Sequence, residues 1–204
     1  MNLRPPLQFK IATEAREFEW VHQLNYKTFV EEIPQHEPSP QRRLVDKFHS
    51  ENTYVICRCG EQLAGMLAVR ARRPFSLDQK LPNLDSYLPP GHSICEVRLL
   101  AVEKSFRSGQ VFQGLLEQLW KYFQEQGYTL AIVSGTTKQL KLYRHLGFVP
   151  FGPLVGHGEA LFQPMYLAGQ TFAQKIAAGE FGFTRSLQAL RSAAPAPRSE
   201  TPPA

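Results

Sequence analysis

Cysteine is scarce in this 204-residue chain: there are three, Cys57, Cys59 and Cys95. Neither they nor the six scattered histidines fall at zinc-site spacing. The expectation is no metal and three reduced, buried thiols in an intracellular protein. Long apolar runs are missing too. No stretch approaches the about 20 residues of a membrane helix. The opening "MNLRPPLQFKIATEAREF" has no apolar signal core, so a cytoplasmic location is expected. There is no finger spacing, no aromatic RNA signature and no basic helix, which argues against nucleic acid. No internal repeat is present. What remains is a mild excess of positive charge, +5 overall with a pI of about 9.2. It fits an anionic ligand or an acidic protein partner.

The length suits one domain, and 43% hydrophobic residues are enough for a core. "LQFKIAT" reads as a short strand. The helix "TEAREFEWVHQLNYKTFV" follows, with Phe18, Val21, Leu24, Tyr26 and Phe29 near one face. Prolines in "EEIPQHEPSPQ" break it. "TYVICRC" and "QLAGMLAVRAR", joined by "GEQ", read as a hairpin that puts Cys57 and Cys59 on one face. A proline-rich insertion, Arg73 to Ser93, comes next. "ICEVRLLAV" is apolar on both faces and is therefore a central strand.

The stretch "FRSGQVFQGLL" then opens a helix whose apolar stripe runs from Val111 to Phe123, with Gly127 as its stop. "YTLAIVSG" is a buried strand and "TTKQLKLYRHLG" a helix with a glycine stop. "FVPFGPLVG" and "EALFQPMYLA" are closing strands, and "TFAQKIAAGEFGFTRSLQALR" is a last helix. The order predicts an α/β (α+β) fold: a central, mainly antiparallel mixed sheet flanked by helices. The expected divisions are a domain over 1–168, a helical extension over 169–191, and a disordered proline-rich tail over 192–204.

Two motifs carry a resemblance. "VEKSFRSGQVFQGLL" is similar to the donor-binding motif of the GNAT superfamily of N-acyltransferases, and "LKLYRHLGF" to its later helix-and-strand motif. The resemblance implies splayed central strands. The main chain of Leu100, Ala101 and Val102 would then pair with the pantetheine arm of an acyl donor, in the manner of strand addition. Arg107, Ser108, Gly109 and Gln110 would form the loop that meets the donor's phosphate at a helix start. Gln110 and Phe112 stand where that loop usually carries small residues. A cradle so filled points to a donor with less phosphate, such as an acidic acyl carrier protein, with acyl-CoA as the other acyl-phosphopantetheine donor.

Residues 20–107 resemble the acyl-homoserine-lactone synthases and the long-chain N-acyl amino acid synthases. The likeness runs through "YKTFVEE", "LVDKF", "GMLAVRARRP" and the glutamate six residues before Val102. The lactone synthases carry serine and arginine at the second and third positions after that glutamate. Here Arg98 and Leu99 stand there, which favours the amino acid synthase branch.

Acyl transfer to an amine needs a proton removed, an oxyanion held and a thiolate protonated. Glu96 is the candidate general base, because a carboxylate on a central strand should sit in a partly apolar pocket. Tyr143 occupies the place of the tyrosine that protonates the leaving sulfur in many members of the superfamily. Main-chain amides near Leu100 or Val102 would hold the oxyanion. Glu32, Asp46, Arg70 and Arg98 are candidates for the small amine substrate, an arginine being suited to an amino acid carboxylate. Structural charge pairing is the plain alternative for each. Phe75, Leu77, Leu81, Leu84, Tyr87 and Leu88 of the insertion are expected, with the first helix, to wall an acyl tunnel, or else to cap the core. Two rival functions stand beside the leading one: an acetyl-CoA-dependent N-acetyltransferase, and a non-catalytic acyl-pantetheine-binding module.

Overall fold

The computed structural model describes residues 5–107, 109–157 and 160–180. Strand β1 (Leu7–Ile11) leads into helix α1 (Ala15–Tyr26). The acidic start of α1 works as a cap. Glu17 accepts the backbone N–H of Thr13 at 2.9 Å and of Glu14 at 3.1 Å, and pairs with Lys10 at 2.7 Å. The helix continues as a π-helical turn, Lys27–Glu32. Strands β2 (Asn52–Cys59) and β3 (Gln62–Arg70) form the expected hairpin, with Gly60 at φ 59° in its turn.

Strand β4 (Ile94–Val102) is followed by helix α2 (Gln110–Glu125), strand β5 (Leu130–Thr136), helix α3 (Leu140–Leu146), the short strands β6 (Val149–Pro150) and β7 (Val155–His157), strand β8 (Ala160–Ala168) and helix α4 (Gly169–Ala177). The first residues of the expected helical extension are α4. The remainder of that extension and the proline-rich tail lie outside the described residues.

The sheet order is β1-β2-β3-β4-β5-β8-β6, with β7 also on β8. Every pairing is antiparallel except β4 with β5. This is the mixed, mainly antiparallel sheet that the sequence predicts.

Alternation along the strands sends side chains to two cores. Val55, Cys57, Leu67, Val69, Cys95 and Ala131 meet α2 on one face. Tyr54, Ile56, Met66 and Ala68 meet α1 on the other. Further along that second face, Phe75, Leu77, Leu81, Leu84 and Leu88 of the insertion are buried against Leu130, Ile132, Phe151 and Val155. The insertion therefore caps the core. All three thiols are free and buried, and burial pushes those of Cys57 and Cys95 up to about 12.

Candidate active site

The parallel seam between β4 and β5 is short. It holds Ile94 to Leu130, Cys95 to Ala131 and Glu96 to Ile132, and then stops, although β4 continues to Val102 and β5 to Thr136. Beyond Glu96 the two strands diverge. On its other side β4 carries a bulge: Arg98 faces Ala68 and Ala101 faces Met66, so Leu99 and Leu100 oppose the single residue Leu67. Leu99 has φ 54°, a conformation that a branched side chain rarely takes. The bulge leaves Leu99 and Leu100 with no register partner on either neighbouring strand.

A cavity of about 110 Å³ fills the splay on the α2 face. Val97, Leu100, Phe112, Leu116, Val133 and Leu142 are among its largely apolar walls. Arg98, Ser134 and Tyr143 are the polar residues of the lining. Ser134 Oγ is buried and, among the described residues, has no hydrogen-bond partner. Tyr143 packs edge-on to Phe148, with ring centroids 5.6 Å apart. Burial raises the Tyr143 pKa and keeps its phenol protonated. Gly135 makes room for that phenol, since a Cβ there would lie 3.0 Å from the ring.

Glu96 points to the opposite face, beneath the insertion. It is 0% exposed. Its carboxylate accepts the Ser76 N–H at 2.7 Å, the Ser76 hydroxyl at 2.5 Å and the Leu77 N–H at 3.2 Å, and Arg98 Nε lies 3.7 Å away. A carboxylate offers about four acceptor positions; three hydrogen bonds reach this one, and Arg98 stands beyond hydrogen-bond distance as an ion-pair partner. The carboxylate that the sequence offers as general base is thus buried and hydrogen-bonded beneath the insertion.

Arg98 is committed as well. It grips Asp46 through two hydrogen bonds of 2.7 and 3.0 Å. Burial works against ionisation of Asp46, but the Arg98 guanidinium, the Asn52 amide and the Phe48 N–H outweigh it and hold the carboxyl below its ordinary range. Arg70 is 1% exposed. It donates to the Pro74 carbonyl at 2.8 Å, pairs with Glu51 at 3.3 Å and stacks 3.9 Å over the Phe48 ring. The Arg98 guanidinium lies 4.8 Å from the same ring. Asp46 and Arg98 therefore meet as a pair, whereas Arg70 belongs to a neighbouring cluster around Phe48.

The loop expected to meet the donor follows β4. The carbonyl of Val102 accepts from Arg107 Nε at 2.9 Å, and Arg107 Nη2 pairs with Glu32 at 2.6 Å. Lys27 and Glu103 tie the same two segments at 2.8 Å. One expected phosphate residue and one expected amine-site residue are thus each other's partners. Gly109 caps α2 at φ 90° with open space before it, and Gln110 is the first helical residue. Ser108 lies outside the described residues. Ala101 and Val102 pair with Met66 and Gly65 of β3, which leaves their β5 side unpaired.

The family model of the N-acyl amino acid synthase FeeM matches residues 21–169. The chain belongs to this N-acyl amino acid synthase family. Among solved structures, the FeeM synthase from uncultured soil microbes superposes with a TM-score of 0.66 at 18% identity, covering 83% of this chain and 94% of that one. The CoA-dependent acyl-homoserine lactone synthase BjaI, with SAM and isopentyl-CoA, gives 0.71 at 19% identity over 87% and 90% of the two chains. An N-acetyltransferase from Lactobacillus plantarum, described as putative, gives 0.58 at 13% identity over 79% and 97%. No curated protein matches. These likenesses establish the GNAT fold, and the family establishes an N-acyltransferase that moves an acyl group to an amine.

The sequence located the central strand Ile94–Val102 and singled out Tyr143, which the structure places in the cavity lining. It did not locate Ser76, Phe48 or Ser134. The first two act through contacts between distant segments, which no local pattern announces. Ser134 sits in "IVSG", where alternation would have placed it on the Glu96 side, and the divergence of β5 changes its surroundings.

Proposed function

We propose that this N-acyltransferase takes a long acyl chain from a pantetheine thioester, acyl carrier protein being the preferred donor over coenzyme A, and joins it to the amine of an amino acid. The observation that carries this reading is the apolar cavity opening into the splay between β4 and β5. Its walls come from α2, α3 and the strand edges rather than from the insertion. The acyl chain lies in this cavity and the pantetheine arm runs along the free edge of Leu100, Ala101 and Val102. Binding in that mode requires Arg107 to leave the Val102 carbonyl, which frees its guanidinium for the donor's phosphate beside Gly109 and Gln110.

The neutral amine attacks the thioester carbon, and its proton passes to water. A main-chain N–H at the Leu99–Leu100 bulge holds the oxyanion. As the C–S bond breaks, Tyr143 gives its proton to the sulfur. Glu96 acts by holding the insertion, and with it the acceptor's side of the splay, in place.

Preference for a carrier protein rests on Gln110, which opens α2 where the phosphate loop usually carries a small residue, and on the net charge of +5, while Phe112 turns to the cavity wall. The test is transfer from acyl donors of about two to sixteen carbons, each on coenzyme A and on carrier protein, with products identified by mass spectrometry. At about 0.8 kcal/mol per buried methylene, kcat/KM should rise severalfold per two-carbon step until the cavity is full. Charge steering by the carrier should fade with salt, whose screening length is about 8 Å at physiological strength. A profile peaking at acetyl rejects the long-chain reading. Equal use of coenzyme A without salt sensitivity rejects the carrier preference.

A further inference from the structure

Both arginines expected to receive an acceptor carboxylate are already engaged. Arg98 holds Asp46 through two hydrogen bonds, and Arg70 is buried between Pro74, Glu51 and Phe48. One cation beside them is not. Lys80 follows the residues that clamp Glu96, and its backbone N–H closes the turn on the Leu77 carbonyl at 3.0 Å. Among the described residues its amine has neither an ion pair nor a hydrogen bond. It lies 5.0 Å from the centre of the Phe162 ring, and Phe162 is the register partner of Thr136, the last residue of the diverging β5.

Lys80 is exposed to solvent, yet desolvation by the surrounding protein lowers the pKa of its amine. The charged groups it faces are Glu96, which favours the ammonium, and Arg98 and Lys47, which oppose it. With Asp46 added as the partner of Arg98, three cations stand against two carboxylates. Both carboxylates already have partners: Glu96 accepts from Ser76 and Leu77 and pairs with Arg98, and Asp46 accepts from Arg98, Asn52 and the Phe48 N–H. Lys47 bonds the Gln79 side chain. One positive charge is left without a counter-ion, on the face of the splay opposite the acyl cavity.

We infer that Lys80 binds the carboxylate of the amino acid acceptor and is a specificity-determining residue. The inference rests on the acyl-transfer reading above. The anion completes the charge balance around Lys80, Lys47 and Arg98, and it reaches the splay from the side that the acyl chain leaves open. A point charge on a flexible stem suits this task, because Lys80 can follow acceptors of different size.

The test compares acceptors that differ only in that charge. Wild-type protein, Lys80→Met and Lys80→Arg are assayed with the twenty ordinary L-amino acids and with their carboxamides, on one acyl donor. The expected result is that wild type prefers the acids, and that Lys80→Met raises KM for the acids by about tenfold, the scale of one charged hydrogen bond. It should leave kcat within about twofold and the carboxamides unaffected, and Lys80→Arg should restore most of the preference. Equal use of acids and carboxamides by the wild type overturns the inference while acyl transfer stands. So does a Lys80→Met effect that is the same for both. A readout without turnover separates it from the acyl-transfer reading: dilute acetic anhydride labels Lys80, followed by peptide mass spectrometry. The amino acid mixture should slow labelling of Lys80 and the carboxamide mixture should not. Absence of that protection overturns the inference whether or not any donor is used.

Discussion

Ser76 and Glu96, twenty residues apart, are joined twice: the Ser76 N–H and hydroxyl both donate to the Glu96 carboxylate, at 2.7 and 2.5 Å. The pair ties the insertion to the last position at which β4 and β5 still touch. Replacing Glu96 by Gln puts an amide NH₂ among groups that already donate, so Glu96→Gln should cost about 3 kcal/mol of stability and expose residues 73–93 to limited proteolysis. Ser76→Ala should cost about 1 kcal/mol, and the double variant should lose less than the sum because the two share one contact. A general base would behave differently, with an unchanged Tm and a fall of ~10² or more in kcat. Melting curves and kcat, measured together, tell the two roles apart.

Asp46→Asn should be severe, because it strands the shielded Arg98. A loss of about 3–5 kcal/mol is expected for one partner removed from a buried pair. The pH dependence has a definite sign. Asp46 has a lower pKa folded than unfolded, so it binds fewer protons in the native state. Its contribution is complete above the ordinary carboxylate range and disappears as pH falls through the lowered folded value. Wild type should lose stability in acid more steeply than Asp46→Asn, as denaturant midpoints measured between about pH 7 and pH 3 would show.

Tyr143→Phe keeps the ring that packs on Gly135 and Phe148 and removes only the hydroxyl. The expected outcome is a kcat lower by about 10², with donor KM and Tm unchanged. Because the phenol's pKa is raised, an alkaline limb in the wild-type rate profile should begin above the ordinary tyrosine value of about 10 and be absent from the variant.

Gly114→Ala tests the contact between α2 and β1. An added Cβ would stand 2.2 Å from the tip of the Phe9 ring, so either the strand or the helix must shift. The overpacking should cost about 1–3 kcal/mol, against the few tenths or more that alanine usually gains inside a helix. Phe9→Leu in the same chain should recover part of the loss in a thermal melt.

The strand Ile94–Val102 was legible to the residue because nine residues of mostly apolar sequence admit few other readings. Helix α2 and its glycine boundaries were equally plain. The π-helical turn at Lys27–Glu32 was not, since a one-residue change of winding leaves the apolar spacing of Phe29 almost intact. Glu96 could be picked out from its place on a central strand. Its hydrogen bonds to Ser76 and Leu77 depend on a loop folding back from twenty positions away, which a strand pattern does not encode. The apolar side chains of the insertion were visible, and either a tunnel or a core cap would have required them. Packing against Leu130, Ile132 and Phe151 decides for the cap. Lys80 gave no signal, because its character comes from the neighbours it lacks.

The eight strands are, mechanically, two panels held by a three-rung hinge, Ile94–Glu96 against Leu130–Ile132. On the proposed reading, a pantetheine arm laid along the free edge of β4 would extend that hinge with rungs that the chain does not itself supply, so that loading the donor would also stiffen the seam.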